Sequence, residues 1–312
     1  MTLAILCSGQ GAQHAAMFDL LTGSAAARPL LAAAGAQMGV DLVPWVRAAT
    51  LAQLQSNATA QVLCCTQALA MWHALSLPGN GNDCVLAGYS VGELASWGCA
   101  GVLSPADVMR LAGLRASAMD AAASSDTGLL SLRGLQRAIV TTLCRDYDCE
   151  IAIVLAHDQY IVGGSLERLR SLAERALRSG AQRVTNVPVR VASHTSRLAA
   201  ASDAFLDALQ GTPLKPALPS GLRLLSGIDG EGVGDMSAGL AKLARQISHT
   251  LDWQACLTAC AEAGVTQVLE LGPGRALAAM AREALPDARC RSVDEFRTLE
   301  GIRAWLADEA QR

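Results

Sequence analysis

Ser90 stands between two glycines in Gly88-Tyr89-Ser90-Val91-Gly92, the G-x-S-x-G spacing, with "CVLAG" reading as a strand before it and "ELASWG" as a helix after it. In such a strand-turn-helix the glycines two residues either side of the serine let strand and helix approach without a Cβ clash. The turn then lifts the hydroxyl out of the sheet at the helix N-terminus. Ser90 is therefore a candidate nucleophile. The same spacing also fits a glycine-rich packing turn, and both readings stand at this point.

A serine that attacks an acyl carbon needs a base, and the chain offers His14, His73, His157, His194 and His249. His73 falls within the apolar run "QVLCCTQALAMWHAL" and reads as a core histidine. His194, in "VPVRVASHTSRL", ends a predicted strand and enters a loop, where an imidazole can reach a pocket; an ordinary loop histidine is the alternative.

Ser104-Pro105 opens a helix with an N-cap serine and proline at the first helical position. At 100° per residue Val108, Leu111, Ala112, Met119 and Ala122 share one face with Arg115 in its middle, while Arg110 points away. Arg115 is thus expected to be buried, and a buried guanidinium needs an anion. That anion is either an internal carboxylate or a substrate carboxylate held by paired charge-assisted hydrogen bonds. In "SGQGAQ", Gly9 and Gly11 flank Gln10 and give the backbone the freedom to aim an N–H inward, as an oxyanion hole requires; a plain strand-to-helix turn is the other reading.

The elements that must carry these residues alternate. "TLAIL" predicts a strand, residues 11–21 a helix, the apolar run from Gln61 to Leu75 another helix, and "CVLAG" a second strand. Alternation argues for a parallel sheet flanked by helices. From Gly128 the texture changes to "GLLSL", a helix near 135–145, "EIAIVL", "QYIVGG", a helix over 166–178 and "QRVTNV". That βαββαβ order is the ferredoxin-like unit. "TQVLELGPG" adds a late strand closed by a Gly-Pro-Gly turn, and the prolines at 213, 216 and 219 mark an irregular connection. The expected fold is α/β: a hydrolase-like parallel-sheet subdomain, residues 1–126 and 188–312, with a ferredoxin-like insert at 127–187.

Composition narrows the function classes. A net charge of −3 and a pI near 6.0 provide no global pull on nucleic acid or an anionic membrane. The charge-free stretch between Arg47 and Asp83 is broken by Gln53, Gln55, Asn57, Gln61, Gln67 and Pro78, so it reads as a buried helix and not a membrane span. "MTLAILCSGQ" lacks a basic start and reads as a strand, not a signal. The ten cysteines form no C-x-x-C and read as scattered reduced core thiols, so the expected location is cytoplasmic. Only Lys215 and Lys242 among the 25 basic residues are lysine, a bias that weakens inference from any single arginine.

"SGQGAQ", "GYSVGELASW", the arginine of "RLAGLRASAM", "VASH", "ARQISHTLDW" and "LELGPG" occur in the order found in malonyl-CoA:acyl carrier protein transacylases and polyketide synthase acyltransferase domains. The chain resembles that family over nearly its whole length. The resemblance implies that Ser90 is the nucleophile, His194 its base and Arg115 the clamp for a malonyl carboxylate. It further implies that the N–H groups of Gln10 and Val91 form the oxyanion hole and that the main-chain carbonyl of Gln246 orients His194. The implied substrates are malonyl-CoA and the thiol prosthetic group of an acyl carrier protein, with no bound cofactor and no metal.

Departures from the family pattern point to a subtype. Tyr89 and Val91 replace its usual His and Leu, Ser8 replaces the proline of Pro-Gly-Gln, and "AHDQ", containing His157, replaces an N-x-P-x-Q stretch. These resemble the acyltransferase subunit of bacterial malonate decarboxylase, which is the subtype expected; the fatty-acid-synthesis transacylase is the near alternative. An α/β-hydrolase-type serine hydrolase or thioesterase, and a non-catalytic carrier-binding subunit, are more distant ones. Between Glu167 and Arg197 the chain has Arg168, Arg170, Arg175, Arg178, Arg183, Arg190 and Arg197 against two glutamates. The first five are the candidate contacts for an acidic carrier protein, with an Arg-biased solvated helix as the plain reading.

Overall fold

The computed structural model describes residues 2–78, 83–187, 189 and 191–308; Arg190 lies outside them. Among the described residues the strands are β1 (Thr2–Cys7), β2 (Cys84–Gly88), β3 (Thr127–Arg133), β4 (Glu150–Ala156), β5 (Gln159–Ser165), β6 (Arg183–Val187), β7 (Leu222–Leu224), β8 (Leu251–Asp252), β9 (Val265–Leu271) and β10 (Arg289–Ser292). They form two five-stranded sheets. The first runs β10-β9-β1-β2-β7 and every pairing in it is parallel. Side chains along β1 and β2 alternate between two apolar layers: Leu3, Ile5 and Cys7 with Cys84 and Leu86 on one face, Ala4 and Leu6 with Val85 and Ala87 on the other. A strand buried on both sides carries no polar alternation, which is why "TLAIL" and "CVLAG" read as short continuous apolar runs.

The first of those layers packs against the helices Asn57–Leu75, Val91–Cys99 and Pro105–Ala122. Asn57–Leu75 is buried almost all round, through Gln61 and Gln67 as well as its apolar residues, which accounts for its lack of charge. Among the described residues no helix is long and apolar enough to cross a membrane. All ten cysteines are buried and unpaired.

The second sheet runs β6-β3-β5-β4-β8. Its β3, β4, β5 and β6 pair antiparallel in the ferredoxin-like order, with the helices Arg137–Asp146 and Leu166–Arg178 as the two crossovers. Alternation again divides the faces. Leu130, Leu132, Tyr160 and Val162 point to the crossover helices, while Leu129 and Ile161 join the layer beneath the parallel sheet together with Trp253. The small unit therefore shares a hydrophobic core with the large one.

Two expectations are corrected here. Residues 11–21 form a loop with a 3-10 turn at Asp19–Leu21, because Gly11 sits at φ 133°, a conformation no helix contains, and the chain turns repeatedly before Arg28–Met38 becomes helical. His73 is exposed near the end of its helix, so it is a surface residue and not a core histidine. A third feature had no sequence signal: the two-residue β8 pairs parallel with β4, extending the inserted sheet with a strand from the other part of the chain.

Candidate active site

Ser90 occupies the turn between β2 and the helix Val91–Cys99 at φ 55°, ψ −121°. A positive φ at a non-glycine residue costs about 1–3 kcal/mol and persists only where the surroundings enforce it. The flanking glycines do so by letting the backbones close in. A Cβ on Gly88 would meet the Glu93 nitrogen at 2.1 Å, and one on Gly92 would meet the Cys7 carbonyl oxygen at 2.1 Å. The G-x-S-x-G pattern is thus required by contact between the turn, its helix and the end of β1.

The loop after β1 lies alongside. A Cβ on Gly9 would lie 2.8 Å from the Tyr89 carbonyl oxygen and 3.6 Å from Ser90 Cβ, which brings the neighbouring Gln10 to the Ser90 turn. Ser8 fixes this loop by donating from Oγ to Glu270 Oε1 at 2.8 Å, while Glu270 Oε2 accepts the Ala278 N–H at 2.8 Å. Burial pushes the Glu270 carboxyl up to about 7 against these hydrogen bonds. Val91 begins its helix, so its N–H has no intrahelical acceptor and remains available beside Ser90.

His194 is 1% exposed and also has a positive φ, 62°. Its Nε2 lies 3.0 Å from Ser90 Oγ and its Nδ1 2.5 Å from the carbonyl oxygen of Gln246. Gln246 caps the helix Met236–Arg245, where the last carbonyls lack intrahelical partners. A carbonyl accepts only, so Nδ1 carries the proton and Nε2 presents its lone pair to the serine hydroxyl. Burial, reinforced by the nearby Arg115 charge and opposed by the Gln246 carbonyl, pulls the imidazole down to about 3. It is neutral at any ordinary pH.

Arg115 is 1% exposed. One of its terminal nitrogens donates to Gln61 Oε1 at 2.8 Å and approaches Met119 Sδ at 3.3 Å; the other donates to Gln246 Oε1 at 3.0 Å and lies 3.4 Å from Ser90 Oγ. Burial lowers the guanidinium to about 10, with Cys65 and Glu93 acting against the shift, so it stays cationic at neutral pH.

Gln246 joins these groups through its side chain as well. Its Nε2 donates to the Ser90 carbonyl at 3.0 Å and to Glu93 Oε2 at 2.7 Å. Glu93 is fully buried, takes a second hydrogen bond from the Gly227 N–H at 3.0 Å, and leaves Oε1 without a partner among the described residues. Its carboxyl is pushed up to about 7 by burial, against the hydrogen bonds from Gln246 and Gly227 and the Arg115 charge.

The structure therefore brings Ser90, His194, Arg115 and Gln246 together and sets Val91 and the Gln10 loop beside them. Sequence reasoning did not single out Glu93, Gln61 or the Gln246 carboxamide. The signal for Glu93 and Gln61 was present as polar residues inside otherwise apolar helices, each needing a buried partner. The other histidines lie elsewhere. His14 pairs with Asp294 at 2.9 Å, which raises its pKa, and His157 and His249 are exposed. His157, on the turn between β4 and β5, contributes only its carbonyl, which accepts from the Tyr160 hydroxyl at 2.6 Å. Tyr89 packs edge-on against Trp253 with ring centroids 5.5 Å apart. Among the described residues no group of three or more His, Cys, Asp or Glu side chains could hold a metal ion.

A buried neutral imidazole on a serine hydroxyl, at a turn shaped by two glycines, is machinery for acyl transfer through an ester. The chain belongs to the acyl transferase domain family, which matches residues 5–288, and is an acyltransferase. Its relatives include the malonyl CoA-acyl carrier protein transacylase of Mycobacterium bovis, 29% identical over 294 residues covering 93% of this chain and 96% of that protein. The Salmonella typhimurium protein of the same description is 26% identical, covering 94% and 96%. The structure superposes on an acyl-carrier-protein S-malonyltransferase from Burkholderia pseudomallei with a TM-score of 0.90 and 27% identity, over 97% of this chain and 99% of that one. It also matches MCAT from Mycobacterium tuberculosis, with a TM-score of 0.89 and 28% identity, over 97% of this chain and 100% of that one.

Proposed function

We propose that this protein transfers a malonyl group from malonyl-CoA to the thiol of an acyl carrier protein through a malonyl ester on Ser90. The observation that carries the reading is one hydroxyl set between two groups: Ser90 Oγ is 3.0 Å from a buried imidazole and 3.4 Å from a buried guanidinium. The first supplies a proton acceptor; the second selects an acyl group that ends in a carboxylate. Relatives that align along nearly their full length and bear the transacylase name support the same substrates.

In the first half-reaction Ser90 Oγ attacks the thioester carbon while His194 Nε2 takes its proton. The N–H groups of Gln10 and Val91 hold the developing oxyanion, and the proton then passes to the departing CoA sulfur. In the second half-reaction the carrier thiol gives its proton to His194 and attacks the ester, and Ser90 recovers its own. The Gln246 carbonyl holds the imidazole in the required tautomer throughout, a task that needs no carboxylate, and among the described residues none hydrogen-bonds to His194. We take residues 127–187 as the small subdomain and 1–126 with 188–312 as the large one.

The relatives favour the fatty-acid-synthesis transacylase as the finer identity. Assignment to the malonate decarboxylase carrier rests on Ser8, Tyr89, Val91 and the "AHDQ" stretch alone. Ten buried thiols favour a reducing cytoplasm as the site of action. Intact mass after mixing with malonyl-CoA tests the chemistry: one malonyl group should appear on the wild type and none on Ser90→Ala. Adding each carrier in turn should discharge the adduct onto the true acceptor. An adduct that persists in Ser90→Ala, or one that only water discharges, would overturn the proposal.

A further inference from the structure

The site holds two buried charges of opposite sign separated by one amide. Arg115 donates to the oxygen of the Gln246 carboxamide at 3.0 Å, and the nitrogen of that same amide donates to Glu93 Oε2 at 2.7 Å. Glu93 is fully buried and its Oε1 receives no hydrogen bond among the described residues. The guanidinium is thus the counter-charge that lets Glu93 be ionised before substrate arrives. The other titratable groups around Glu93 do not replace it. Asp229 adds a negative charge, Cys256 on the helix Trp253–Glu262 is a thiol held neutral by burial, and His194 is neutral; Cys65, beside Arg115, is likewise a buried thiol.

We propose that malonylation of Ser90 is coupled to the uptake of a proton by Glu93, which gives up its charge when the malonyl carboxylate takes over Arg115. The inference rests on the malonyl-transfer reading. With two carboxylates competing for one buried cation, and Glu93 itself buried, one of them becomes neutral. Glu93, with an oxygen that lacks a donor, is the one that protonates, since an uncompensated buried carboxylate costs far more than a neutral carboxyl. The balance is complete. The Ser90 ester bond forms and the CoA thioester bond breaks. The serine proton leaves on the CoA sulfur by way of His194, and one further proton comes from solvent to Glu93. The carrier half-reaction returns it.

The test is proton uptake in a weakly buffered solution containing a pH indicator, normalised to the malonyl-Ser90 adduct measured by mass. At pH 7.5 the CoA thiol stays largely protonated, and a Glu93 carboxyl poised at about 7 is mostly ionised, so roughly three quarters of a proton should be taken up per adduct. At pH 6 the uptake should shrink to roughly a tenth, because Glu93 already holds its proton. Glu93→Gln should form the adduct with no uptake at either pH. The ratio of malonyl-enzyme to free enzyme at fixed malonyl-CoA and CoA should fall up to about tenfold per pH unit above 7 in the wild type, and remain flat in the variant. A full adduct with no uptake at pH 7.5, equal uptake at both pH values, or unchanged uptake in Glu93→Gln would each overturn the coupling while leaving acyl transfer intact. Should the variant not fold, the two wild-type pH values decide alone. Absence of the adduct itself would overturn the malonyl-transfer reading beneath it.

Discussion

Nε2 of His194 lies 3.0 Å from Oγ of Ser90 across 104 residues of sequence, and neither residue is in an ordinary backbone conformation: both have positive φ. Each sits at an abrupt turn that the surrounding packing enforces. Ser90 is held by Gly88 and Gly92, and His194 is held at both ends, by its Nδ1 on the Gln246 carbonyl and by its N–H on the Ile247 carbonyl at 2.8 Å. The hydrogen bond that would activate the serine is a product of two constrained backbones brought together by the core.

The glycine requirement can be measured directly. Gly92→Ala places a methyl group 2.1 Å from the Cys7 carbonyl oxygen, a contact with backbone that no rotamer change relieves. The variant should lose about 3 kcal/mol or more of stability, read from the urea midpoint. A loss within about 0.5 kcal/mol would mean that strand and helix are not as closely packed as described.

Arg115→Ala should lower kcat/KM for malonyl-CoA by roughly 10²–10³ and raise acetyl transfer relative to malonyl transfer, since paired charge-assisted hydrogen bonds to a carboxylate are lost. Arg115→Lys should recover little, because a point charge does not reproduce the fork that engages Gln61 and Gln246. Steady-state rates with both thioesters decide. Equal losses for the two acyl groups would make Arg115 purely structural.

Stability should depend on pH through a buried histidine and two buried carboxyls, Glu270 and Glu93, that act in opposite directions. His194 is pulled from 6.5 to about 3, so the unfolded chain binds a proton that the folded one refuses. Its contribution is intact above about 6.5 and is lost on acidification toward 3, at up to about 1.4 kcal/mol per pH unit. Glu270 is raised from 4.5 to about 7, so its contribution is present below 4.5 and is lost as pH rises through 7. Urea melts between pH 4 and 8 should show His194→Gln freed of the acid loss and Glu270→Gln with a smaller loss on the rising side, the remainder coming from Glu93. Parallel pH curves for wild type and both variants would contradict these assignments.

Carrier recognition should reside on one flank of the helix Leu166–Arg178. Leu169, Leu172 and Ala176 are buried, and Arg168, Arg175 and Arg178 fall within about 80° of one another around the axis, with Arg170 on the other side. All four are exposed, as is Arg183 on β6. Reversing Arg168, Arg175 and Arg178 to Glu should slow transfer to an acidic carrier about tenfold and weaken its salt dependence, while loading from malonyl-CoA changes little. Stopped-flow loading and carrier discharge at several salt concentrations separate the two steps. Equal slowing of both would move the docking surface elsewhere.

Much of the architecture was legible because period and punctuation agree locally. The βαββαβ unit follows from short apolar runs spaced by amphipathic helices, and Arg115 was placed inside from its position among Val108, Leu111, Ala112 and Met119. Ser90 was legible from its glycines. What was not legible depends on contacts distant in sequence. Gln246 reaches Ser90, Glu93 and Arg115 from 131 to 156 residues away, and no spacing rule joins them. Its backbone role came only through family resemblance. The loop at 11–21 misled because its buried Met17, Phe18 and Leu21 fall at the i, i+1, i+4 spacing of a helix face while the chain there only turns, with a 3-10 turn at Asp19–Leu21.

The pairing of β8 with β4 determines how this protein can be taken apart. Four residues separate Gln246 from Leu251, so the segment that grips the imidazole continues almost at once into the edge of the β6-β3-β5-β4-β8 sheet. A chimera that exchanges 127–187 between acyltransferases without also exchanging Leu251–Asp252 would leave a mismatched seam next to His194, and its activity would suffer even with Ser90, His194 and Arg115 retained.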